Sequence, residues 1–181
     1  TTIRAWINVG APTAEDAAAL TAAAYDGAEQ TESLTFRQRF ARFLGRLHPS
    51  TVHFPIALLV VAAMGELLVS FGRVSLRPAV RFCVTVGTVG AIVAAWFGWF
   101  NGEFAGYTGS LAETLELHRW LGVTAAVWAV IVWLLMQAAV RVDRPSFNYA
   151  FRTALIVGAV LVAVTGHFGG VLVYGPDYLN W

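Results

Sequence analysis

The sequence predicts an all-α fold, a polytopic membrane four-helix bundle with a short polar N-terminal helical extension. Two observations predict it. Hydrophobic residues make up 57% of the 181-residue chain and charged residues 13%, against about 25% charge in a soluble domain. Four apolar segments of about 18–22 residues follow one another, each long enough to cross a hydrocarbon core about 30 Å thick as a helix. Mean hydropathy is +0.63. This composition excludes a disordered chain and argues against a nucleic-acid partner or an ordinary water-soluble enzyme. The net charge of +1 gives no reason to expect an acidic partner.

Residues 1–35 form an acidic segment that belongs in water. Glu15, Asp16, Asp26, Glu29 and Glu32 stand there against Arg4 alone. Thr13 followed by Ala14, Glu15 and Asp16 predicts a helix start, with acids where the helix dipole favours them. The alanine run to Ala24 extends this helix and Gly27 ends it. Thr1 in place of Met predicts a chain that is processed or that continues upstream.

Residues 36–47 read FRQRFARFLGRL. Phe36, Phe40, Phe43, Leu44 and Leu47 recur at helical spacing, with Arg37, Arg39, Arg42 and Arg46 on other faces. An amphipathic helix in the membrane interface follows; a surface helix docked on a partner subunit fits equally well.

Residues 48–181 form the four-span domain. Its spans are expected near 52–71, 82–100, 120–140 and 153–174. Each must be helical, because a lipid-exposed segment has to satisfy its own backbone. Trp96, Trp99, Trp120, Tyr174 and Trp181 fall near span ends, where interfacial aromatics belong.

The connections set an orientation. Arg73, Arg77 and Arg81 follow the first span, and Arg141, Arg144 and Arg152 flank Asp143 after the third. Glu103, Glu113 and Glu116 dominate the loop between the second and third spans, against Arg119. The positive-inside rule puts the first and third loops in the cytoplasm and both termini on the outer, periplasmic side. The four arginines of 37–46 then lie on the outer side, which an interfacial helix permits.

Antiparallel spans place His48, His53, His118 and His167 at one end of the bundle, the outer end by charge. Imidazoles at membrane depth are functional candidates, and neutral imidazole ligates haem iron, Zn, Cu and non-haem Fe. His53 sits in a first helical turn beside Pro55. His118 follows Ser110-Leu-Ala-Glu113, a capping box that starts its helix before the membrane. His167 is deeper, where an imidazole without a partner is costly. His48 precedes Pro49 and has a plain alternative as a loop residue. Which of them pair stays open.

A flat macrocycle needs small neighbours. Gly122, Ala125 and Ala129 share a face with His118, while Gly166, Gly169 and Gly170 surround His167. Gly87, Ala91, Ala94 and Gly98 form a stripe on the second span that simple helix approach also explains. Arg46 and Arg119 are candidates to hold haem propionates. Glu66, well inside the first span, is expected to pair with Arg73, Arg77 or Arg81 rather than to act as a proton relay or quinone-site group. Cys83 reads as a small buried apolar residue, and no C-x-x-C-H for covalent haem is present.

The string LHPSTVHFPIALLVVAAMGELL, with HRWLGV and TGHFGGVLVYG later, resembles a family of four-span membrane proteins catalogued as domain of unknown function 2231. The resemblance covers about 47–176, implies the topology above and highlights His48, His53, His118 and His167. It implies no reaction. The string TIRAWINVGAP resembles the closing helix of c-type cytochrome domains joined to such membrane domains in some bacteria. The C-x-x-C-H of such domains is missing here, so that resemblance implies a bacterial inner membrane and either an outward-facing covalent-haem domain upstream of residue 1 or the loss of that domain.

The expected function is a redox or non-catalytic subunit of a larger oxidoreductase complex. It would bind one or two b-type haems through the outer histidines, with quinone as a second candidate cofactor. Electrons would pass between membrane quinol and an external c-type cytochrome or respiratory complex. The alternatives are a structural anchor or assembly subunit without cofactor, and a histidine-ligated metal site.

Overall fold

The computed structural model describes residues 34–142 and 144–175. The expected helix from Thr13, the cytochrome-like string, Asp143, Asp177 and Trp181 lie outside the described residues. Among the described residues all regular structure is helical: α1 (Phe36–Arg46), α2 (His48–Thr51), α3 (His53–Ser70), a 3-10 turn (Val74–Leu76), α4 (Arg77–Glu103), α5 (Ser110–Val142) and α6 (Pro145–Tyr174). A boundary between two units falls after Ala41, within α1.

Thr35 and Gln38 start α1. The Thr35 N–H and hydroxyl both donate to Gln38 Oε1, at 2.9 and 2.8 Å, a reciprocal cap that satisfies free helix donors. Phe36 and Phe40 stack with centroids 6.4 Å apart. Phe36, Phe40 and Phe43 all remain exposed.

The break between α2 and α3 has a cause in the sequence. Pro55 has no N–H to give the Thr51 carbonyl, so the helical ladder loses a rung around Val52. Val52 still bonds back to His48 O at 3.0 Å, and Ile56 to Val52 O at 3.3 Å. The chain thus stays helical in course between His48 and His53, with Val52 at φ −62° and ψ −30°.

Helices α3 to α6 form the bundle, with α3 on α4 and α6, and α5 on α4 and α6. At 1.5 Å per residue the 33 residues of α5 and 30 of α6 exceed the thickness of a hydrocarbon core. The core is large at one end and small at the other. Val80, Val84, Val132, Met136, Phe151 and Leu155 fill the arginine-rich end, whereas Ala91, Ala125, Ala126 and Ala129 predominate nearer the histidines. Only 11% of the apolar window of α6 is buried within the chain, so most of its apolar surface is available to lipid. Midway along the bundle, side-chain bonds tie neighbouring helices: Thr88 Oγ1 donates to Ala129 O at 3.1 Å, and Trp128 Nε1 to Ala154 O at 2.8 Å.

The two halves bury the same faces. Pro55, Leu59, Ala62 and Glu66 of α3 are buried, and so are Ala125, Ala129, Val132 and Met136 of α5, each 70 residues on. Val80, Val84, Gly87 and Ala91 of α4 recur 71 residues on as Phe151, Leu155, Gly158 and Val162 of α6. The bundle is therefore a helical hairpin repeated in tandem. Equivalent helices run the same way, and α3 meets α6 as α5 meets α4.

Candidate functional site

The repeat brings two histidines together at one end of the bundle. His48 on α2 and His118 on α5 are equivalent positions, each preceded by leucine. Their ring centroids are 6.1 Å apart and the ring planes lie at 72°. Both rings are half-buried.

Each ring is fixed in the same way. His48 Nδ1 lies 2.9 Å from the carbonyl oxygen of Ala94 on α4. His118 Nδ1 lies 3.0 Å from that of Thr165 on α6. A carbonyl only accepts, so each Nδ1 carries the proton and donates. In the neutral ring Nε2 is then left with a lone pair. This is the arrangement that orients histidines as metal ligands, with the second nitrogen holding the tautomer.

A glycine lies one turn beyond each accepting carbonyl. A Cβ on Gly98 would stand 2.7 Å from His48 Cε1, and one on Gly169 would stand 3.1 Å from His118 Cε1. Both glycines follow a phenylalanine, Phe97 and Phe168. The glycines thus serve as seats for the imidazoles of the neighbouring helix. Gly169, expected near His167, instead sits against His118. A Cβ on Gly166 would lie 3.8 Å from Ile56 Cδ1, and one on Gly122, a turn deeper than His118, would meet nothing within 4 Å. Gly170 is half-buried. Gly87 packs against Leu59, the close helix approach that small residues permit.

His53 and His167 are elsewhere. Both are exposed on the bundle surface, with the His167 ring centroid 5.6 Å from that of Phe168. Their depth along the chain singled these two out in the sequence, and the structure places them on the outer surface of their helices. The sequence did contain the signal for His48: Leu-His at 47–48 and 117–118, with Phe-Gly at 97–98 and 168–169, marks the repeat directly.

Arg119 lies beside this pair in the chain. Its guanidinium carbon is 4.8 Å from the Trp99 ring centroid, and a Cβ on Gly102 would clash with it. Its Nε is buried without a hydrogen-bond partner, and its bridge to Glu116 is long, 3.9 Å. Arg46 is exposed and lines a separate surface cavity with Arg42, Asn101 and Tyr107. Tyr107 pins the intervening loop by donating its hydroxyl to Leu172 O at 3.0 Å.

Glu66 lies toward the opposite end of the bundle and pairs with Arg152 of α6, whose Nε is 2.7 Å from its Oε1. The expected partners were the nearer arginines in sequence, Arg73, Arg77 or Arg81. Antiparallel packing of α3 on α6 brings Arg152 to it instead. Cys83 is partly buried against the core, as expected of a small apolar residue. Among the described residues no group of three or more His, Cys, Asp or Glu is placed to hold a metal ion.

Neither a curated protein nor a solved structure matches this chain. A family model described as "Predicted membrane protein (DUF2231)" matches residues 46–177, the stretch that contains both histidine seats and all four spanning helices. By that match and its four apolar helices the chain is a multi-pass membrane protein belonging to the DUF2231 family.

Proposed function

We propose that the chain is an electron-transfer subunit that carries one b-type haem between His48 and His118. The observation that carries this reading is the spacing of the paired rings. The ring centroids are 6.1 Å apart, and each Nδ1 is bound to a carbonyl, so a haem iron would be held by the two neutral Nε2 atoms of His48 and His118. The donor set also suits haem: two neutral imidazoles from facing helices, each with its second nitrogen bound to a carbonyl. The alanine-rich interior at this end and the open space beside Gly122 favour a flat group. Haem, when bound, supplies a one-electron redox couple.

The chain's own residues then have defined tasks. Gly98 and Gly169 let the imidazoles approach the neighbouring backbones, and Ala94 and Thr165 hold their orientation. Arg119, with its unpaired buried Nε, supplies a cation for a carboxylate. The site lies at one end of the bundle, which suits exchange with a protein docked on that face. We assign that face to the outer side of a bacterial inner membrane, from the arginine-rich loops at the other end. The partners in this reading are membrane quinol and an external c-type cytochrome within a respiratory complex.

The test is the absorption spectrum of the purified full chain. The expected result is a Soret band and extractable non-covalent haem, both lost in His48→Ala and in His118→Ala and kept in His53→Ala and His167→Ala. Colourless protein from haem-replete cells overturns the reading. Elemental analysis of the same sample separates haem iron from a histidine-bound Cu or Zn.

A further inference from the structure

The Glu66–Arg152 bridge has an image in the tandem repeat. Glu66 corresponds to Met136, 70 residues on, and Arg152 corresponds to Arg81, 71 residues back. The image of the bridge is therefore Arg81 beside Met136, an arginine whose carboxylate is missing. Both residues line one cavity of about 120 Å³ at the end of the bundle away from the histidines.

The rest of the cavity wall sharpens the imbalance. Glu66 lines it too, but its charge is met by Arg152 at 2.7 Å. Arg77, one turn before Arg81 on α4, adds a second guanidinium, and Asn148 adds an amide. Neither Arg77 nor Arg81 forms an ion pair with a described residue. Like charges four apart on a helix disfavour one another, and an anion between Arg77 and Arg81 would relieve that. Two arginines, both exposed to solvent at the cavity mouth, thus line a cavity whose one carboxylate is already paired.

We propose that this cavity binds a phosphate group, which takes the place of the carboxylate missing opposite Arg81. Arginine forks match phosphate oxygens in pairs. A basic pocket between spanning helices is well placed to take the headgroup phosphate of an anionic phospholipid. Free phosphate offers the same chemistry from the aqueous side. Glu66 is part of the wall, and Arg152 neutralises it, which leaves Arg77 and Arg81 as the unmatched charges of the lining.

The experiment measures the thermal midpoint of the full chain in nanodiscs of phosphatidylcholine alone or mixed with phosphatidylglycerol, and in detergent with and without millimolar inorganic phosphate. Arg81→Gln removes one fork. Met136→Glu supplies the missing carboxylate and copies the Glu66–Arg152 bridge. Arg141→Gln removes an equal charge outside the cavity. The expected result is a phosphatidylglycerol-dependent rise of about 3 °C, kept in Arg141→Gln and abolished in Arg81→Gln and Met136→Glu. A rise with inorganic phosphate showing the same dependence on the variants identifies free phosphate as the source. If Arg81→Gln does not fold, Met136→Glu decides alone. A rise equal in wild type, Met136→Glu and Arg141→Gln, or no rise with either probe, overturns the proposal.

Discussion

Gly98 lies so close to His48 that a single added methyl carbon would stand 2.7 Å from Cε1 of the ring and 2.9 Å from Nδ1. The equivalent glycine of the second hairpin, Gly169, leaves slightly more room, 3.1 Å from His118 Cε1. The two imidazoles are therefore seated on backbone, and the seats differ in tightness.

Gly98→Ala is expected to displace His48 and break its bond to Ala94 O, at a cost of about 1–3 kcal/mol. Gly169→Ala should cost less, because His118 has only a few tenths of an ångström to give. Thermal unfolding ranks the two. Haem retention should fall in the same order, read as the Soret-to-protein absorbance ratio.

Glu66→Gln leaves the Arg152 guanidinium without its counter-charge at the rim of the core. Removing one member of a partly buried pair costs more than replacing both, so the loss should be about 1–3 kcal/mol. The double variant Glu66→Met with Arg152→Leu should be less destabilised than Glu66→Gln. Chemical denaturation of the single and double variants checks the sign of the coupling.

Thr88 bonds the carbonyl of Ala129 inside the bundle, where neither group meets water. Thr88→Val keeps the shape and removes the donor. Interhelical bonds of this kind are worth about 0.6 kcal/mol in membrane proteins, so the loss should be small and measurable as a modest drop in midpoint. A loss of several kcal/mol would show that the bond holds more than one helix pair together.

Arg119 carries a cation next to the histidine pair, with its Nε unpaired. If the chain carries haem as proposed, Arg119→Gln removes positive charge that favours the reduced, more negative state. The reduction midpoint should fall by on the order of tens of mV, as read by potentiometric titration. An unchanged midpoint would place Arg119 outside the electrostatic reach of the cofactor.

The four long helices were legible because apolar length alone specifies a crossing. Ser110 marks the start of α5 in both sequence and structure. The facing of individual histidines was less accessible. His48 and His53 are five residues apart, about 140° around a helix of 3.6 residues per turn, so only one of them can face the bundle interior, and the packing of the neighbouring helices decides which. Glu66 found a partner 86 residues away, because helix contact across the bundle outweighs closeness in the chain. The tandem repeat was present in the residues, yet it shows far more clearly in burial. The two halves share few identities but most of their inward positions.

Two separate, identical hairpins meeting about a dyad could also bring a pair of imidazoles face to face. They could not hold one carboxylate opposite one thioether, because whatever one copy carries its mate must carry too. Placing both hairpins in a single polypeptide frees the far end from that obligation. One pole keeps matched imidazoles, while the other becomes lopsided, with Glu66 against Arg152 on one side and Met136 near Arg81 on the other.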